Sequence, residues 1–169
     1  MSTNEISDDD SIFNELEDDD DYQRLVGQRK QQMKEEYDRI MAMKASGYGQ
    51  YEEIVSEKDL MTTIAKTPNI VVHFCHPQFS TCKILDFHLQ NIAQEYFEVR
   101  FVRSNVENTP FLVKKLGIKV LPHLIVYKDA KLVDRLVGFD ALGNSEKFET
   151  KTLVKWLEKT GILTEKIES

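Results

Sequence analysis

The sequence predicts an α/β domain on a mixed sheet, preceded by a helix and an acidic tail. Three observations predict it. From residue 51 onward, β-rich apolar runs alternate with segments of helical period. The last two apolar runs are joined by the short turn Lys128-Asp129-Ala130-Lys131 and must run antiparallel, whereas strands joined through helices run parallel. The charge is also divided: residues 1–21 hold ten acids and no Lys or Arg, leaving 19 acids against 22 bases in the rest.

The acidic block cannot bury enough apolar surface to offset its ordering entropy, so residues 1–21 read as a disordered tail. Ile12, Phe13 and Leu16 are its candidate apolar contacts for a basic partner surface; the alternative is a solubilising terminus. Residues 22–46 read as an amphipathic helix, with Tyr22, Val26, Met33, Tyr37, Ile40 and Met41 near a spacing of three and four. Its stripe is narrow and needs a partner, so Val26, Met33, Tyr37 and Ile40 are candidate binding residues. Gly47 ends that helix, and residues 47–55 form a linker.

The domain spans 56–163, before a short tail at 164–169. Ser56 caps a helix that Pro68 closes. Asn69 to Cys75 is a buried strand. Phe79 to Phe97 is a long helix with Ile84, Leu85, Leu89, Ile92, Ala93 and Tyr96 inward. Val99 to Val102 is a second strand. Thr109 to Leu116 is a short helix with Pro110 in its first turn and Gly117 as its cap. Leu124 to Tyr127 and Leu132 to Val137 are the third and fourth strands, and Thr150 to Lys159 is the last helix, closed by Gly161.

Composition narrows the function classes. At 169 residues with 41% hydrophobic content, there is room for one domain and an extension. Two cysteines give no disulfide framework and suit a reducing compartment. Runs such as Leu124-Ile125-Val126-Tyr127 are too short to span a bilayer, and the N-terminus lacks a secretory pattern. The expected location is cytoplasmic, with nuclear entry open by diffusion. The acidic tract repels phosphates and disfavours nucleic acid. A monomer is the simplest expectation.

The element order resembles the thioredoxin fold, a core sheet of four strands flanked by helices. A buried strand carrying Val71, Val72 and Phe74 leads into a helix that opens near Cys82-Lys83. Val120-Leu121-Pro122-His123 looks like that fold's cis-proline segment, which makes Pro122 the expected cis residue. Longer segments resemble the phosducin-like family, in the subgroup of thioredoxin domain-containing protein 9 and its fungal counterparts. These are 47–54 (GYGQYEEI), 82–89 (CKILDFHL), 105–112 (NVENTPFL), 117–122 (GIKVLP) and 137–144 (VGFDALGN), and together they cover about residues 47–163.

The resemblance aligns Cys82 with the second thiol of a thioredoxin and Phe79 with the first, with Ser80-Thr81 between them. Phe79 cannot attack a disulfide, so dithiol exchange is excluded at this degenerate motif and no catalytic residue is expected. Cys82 is expected as a packed small residue; a monothiol redox role is the alternative. His76, His123 and Cys82 could approach one another, but no closed four-ligand spacing exists, so neither a metal nor another cofactor is expected. The resemblance implies a non-catalytic co-chaperone that binds the cytosolic chaperonin CCT/TRiC and modulates folding of tubulin, and of actin by extension. Regulation of G-protein βγ subunits is the other reading that the wider family implies.

Overall fold

The computed structural model describes residues 20–163. Its contacts divide the chain into two units between Ala42 and Met43. The first unit holds most of α1 (Asp20–Ala45), a helix of 26 residues with no buried residue. Asp20 and Asp21, which the sequence assigns to the tail, form its first turn, and Lys44 lies in its last. Both placements follow the helix dipole, which favours anions at the N-terminus and cations at the C-terminus.

The second unit contains β1 (Tyr51–Glu53), α2 (Glu57–Lys66), β2 (Asn69–Cys75), α3 (Ser80–Glu95) and β3 (Arg100–Asn105). These are followed by α4 (Pro110–Leu116), β4 (His123–Lys128), β5 (Lys131–Val137) and α5 (Thr150–Thr160). The sheet order is β1-β3-β2-β4-β5, with β1, β3 and β2 parallel, β4 antiparallel to β2, and β5 antiparallel to β4. The expected four-stranded core therefore carries a fifth strand, and the expected 47–55 linker contains it. Tyr-Glu-Glu has little strand character of its own; it is held by pairing Tyr51 with Phe101 and Glu53 with Arg103 on the free edge of β3.

The twofold alternation of β2 builds two cores. Val71 faces α3 and α5, where Leu85, Leu89, Ile92, Leu153 and Leu157 pack. Ile70, Val72 and Phe74 face α2 and α4, where Leu60, Ile64 and Leu112 pack. Helix ends follow local chemistry. The Ser56 hydroxyl accepts from the Asp59 N–H at 3.3 Å. Glu57 accepts from the Leu112 N–H at 3.0 Å and so ties the start of α2 to the first turn of α4. Gly117 ends α4 at φ 68°, a left-handed conformation that glycine adopts without a Cβ clash.

Candidate functional site

The region that the sequence marks lies where β2 meets α3. β2 ends at Cys75, and a loop through His76 and Pro77 reaches Phe79, the N-cap residue of α3. Phe79 gives no side-chain cap; its carbonyl accepts from the Cys82 N–H at 3.1 Å. Its ring is 45% exposed and stands 5.7 Å from the His76 ring. His76 orders the loop. Its Nδ1 accepts from the Gln78 N–H at 3.1 Å, which leaves Nε2 to donate to Glu107 at 2.8 Å. Ser80 is exposed and Thr81 partly so.

Both cysteines are buried and free. The Cys75 thiol points at the Ser104 carbonyl oxygen, 3.5 Å away. Burial, reinforced by the Asp86 charge, pushes Cys75 up to about 12. Burial also raises Cys82, against a hydrogen bond from the His76 backbone that lowers it. A thiol held protonated is a poor nucleophile. Both cysteines line a cavity of about 230 Å³ with Lys83, Asp86 and Arg103.

Beside this cavity lies a polar cluster that sequence reasoning missed. The Tyr51 hydroxyl donates to Asp86 Oδ1 at 2.5 Å, and Arg103 Nη1 donates to Oδ2 at 2.8 Å. His73 Nδ1 lies 3.0 Å from Asp86 Oδ1 and 2.8 Å from the Tyr51 oxygen. A carboxylate only accepts, so His73 carries its proton on Nδ1. Its Nε2 is buried and has no hydrogen-bond partner among the described residues. Burial alone would raise Asp86, but the hydrogen bonds from His73 and Tyr51 and the charge of Arg103 outweigh it and hold the carboxyl low. Burial lowers His73, outweighing the pull of Asp86 in the other direction. The available signal was Asp86 itself, a carboxylate four residues after Cys82 and next to the buried Leu85.

The Leu121–Pro122 peptide is cis, and the Pro122 carbonyl accepts from the Gly138 N–H at 2.8 Å. Val120, just before it, is 50% exposed, whereas His123, just after it, is buried. His76 turns to Glu107, and among the described residues no group of three or more His, Cys, Asp or Glu is placed to hold a metal. Of the partner-binding candidates, Met33 and Tyr37 are 58% and 63% exposed on α1, and Val26 and Ile40 are partly exposed. Ile12, Phe13 and Leu16 lie outside the described residues, as do 164–169. No helix among the described residues is long and apolar enough to cross a membrane.

A family model described as Phosducin matches residues 3–168. The chain belongs to the phosducin family. Among its phosducin-family relatives, thioredoxin domain-containing protein plp1 of Schizosaccharomyces pombe is 40% identical over 144 residues, covering 85% of this chain and 51% of that protein. Thioredoxin domain-containing protein PLP3B of Arabidopsis thaliana is 38% identical, covering 91% and 66%. Phosducin-like protein 3 of Drosophila melanogaster is 40% identical, covering 80% and 63%. The chain thus spans between half and two thirds of the length of these curated relatives. Among solved structures, the long form of spinach chloroplast thioredoxin f aligns with a TM-score of 0.58 at 20% identity, covering 72% of this chain and 93% of that one. That likeness establishes the thioredoxin-like fold of the domain.

Proposed function

We propose that this phosducin-family protein is a non-catalytic co-chaperone that binds the cytosolic chaperonin CCT/TRiC and modulates the folding of tubulin and actin. Membership of the phosducin family along almost the whole chain carries the reading. The chemistry of the α3 entrance supports the non-catalytic part: an aromatic side chain stands at the helix start, and both thiols are buried and held protonated. Binding is then the remaining task of the exposed surfaces, since a fold does not itself supply an activity. An acidic tail and a helix on a folded domain form a bivalent ligand, whose weak contacts multiply through effective concentration. Its charges raise the association rate. A protein that acts on a cytosolic chaperonin acts in the cytoplasm, and we propose that location for it.

Affinity capture of the full chain from cytosolic extract tests this, with a form lacking residues 1–42 beside it. Recovery of all chaperonin subunits by the full chain, and a clear loss with the shortened form, is the expected result. Equal recovery by both forms would refute docking in two parts, and no chaperonin with either would refute the co-chaperone reading. In a disulfide-reduction assay the protein should show no turnover; activity that vanishes in Cys82→Ser would establish a monothiol enzyme instead.

A further inference from the structure

The face of α1 that carries Met33 is self-complementary when the helix is reversed. Val26, Met33 and Ile40 recur every seven residues, which is close to two helical turns, so they share one stripe. Arg29 and Glu36 sit on the same stripe, and with Met33, Tyr37 and Ile40 they line one continuous surface of the helix. Arg29 lies four residues before Met33 and Glu36 three after it. Turning a second α1 end for end about Met33 therefore sets Val26 against Ile40 and Met33 against Met33, and brings Arg29 within one residue, about 1.5 Å along the axis, of the level of Glu36 at two symmetry-related places, a gap that the two long side chains span. A parallel pair would instead oppose Arg29 to Arg29 and Glu36 to Glu36, which is repulsive. Within one helix the two charges are about 10.5 Å apart along the axis and do not pair. Glu36 meets the exposed Arg39 at 2.9 Å through Oε1, an interaction worth little in water.

We propose that α1 associates antiparallel with α1 of a second copy of this chain, with the Arg29–Glu36 pairs setting direction and register. Twenty-six residues give nearly four heptads of contact, and no residue of the helix is buried otherwise. The contact is isologous: residue 29 meets residue 36 of the other copy and residue 36 meets 29. This goes beyond the co-chaperone reading and does not rest on it, and it replaces the monomer that the sequence suggests.

Sedimentation equilibrium of the full chain over a concentration series at low salt tests it, with R29E, E36R and the double swap R29E/E36R. These sites are exposed, so the variants keep the fold, and circular dichroism verifies that. The wild type should reach a dimer. Each single change should raise the dissociation constant roughly tenfold by turning two attractions into repulsions. The double swap should restore it. A wild type that stays monomeric, single changes without effect, or a double swap that fails to rescue would each overturn the proposal. A monomer that loses chaperonin capture in the single variants would assign this face to a foreign partner and also overturn it.

Discussion

Asp86 is the residue on which the polar cluster turns. It accepts from Tyr51 of β1, lies within 3.0 Å of His73 of β2 and pairs with Arg103 of β3, so one carboxylate from α3 ties three strands together. Removing its charge leaves the Arg103 guanidinium and the His73 imidazole facing an amide. Asp86→Asn should cost about 1.5–3 kcal/mol of stability, the range for losing a hydrogen bond to a charged group, here in a part-buried cluster. A urea midpoint equal to that of the wild type would show that the cluster adds nothing. At Gly49 the argument is steric. Its φ is +80°, and an added Cβ would lie 2.7 Å from the Phe97 ring. Gly49→Ala should therefore destabilise the domain by about 1–3 kcal/mol through backbone strain and overpacking; an unchanged melting temperature would mean that the turn can shift.

β5 shows how an element on a sheet edge is kept from pairing further. The Gly138-to-Pro122 hydrogen bond sets the alternation of the antiparallel ladder, so the Arg135 N–H, opposite Ile125, points away from β4. That N–H is not bare, because Asp134 accepts it at 2.8 Å. A register shift between Val126 and Tyr127 further distorts the edge. Leu132 and Val133, 40% and 43% exposed, would otherwise form a flat apolar edge suited to aggregation. Asp134→Ala should increase light scattering on heating and on concentration, with little change in the urea midpoint. Scattering that matches the wild type would mean that the bulge alone protects the edge. The α1 seam is the opposite case: it is uncovered and patterned for one orientation of a partner helix.

For the whole molecule, legibility divides by sequence separation. Caps, helix stripes and the β4–β5 turn rest on residues within four or five places of each other, and local chemistry announces them. β1 was not legible, because it exists by pairing with a strand fifty residues later. The Tyr51–Asp86 contact likewise spans 35 residues. The same long-range burial shapes the response of the molecule to acid. His73, His88 and His123 are all buried, and burial is the leading cause that pushes each imidazole below its ordinary value. The unfolded chain binds these protons as pH drops below about 6.5, while the folded chain resists. In that window the unfolded state holds more protons, so stability falls as pH falls, by at most about 1.4 kcal/mol per pH unit for each histidine. Asp86, held low, acts with the same sign near and below about pH 4. Charge repulsion does not offset this, because the acids concentrate in residues 1–21 and the rest of the chain is already net positive, 22 bases against 19 acids. The urea midpoint should therefore decline steadily from pH 7.5 to 5, and less steeply in His123→Asn, which removes one of the three titrating groups. A midpoint that stays flat over that range would mean that the three imidazoles accept protons in the folded state as readily as in the unfolded chain.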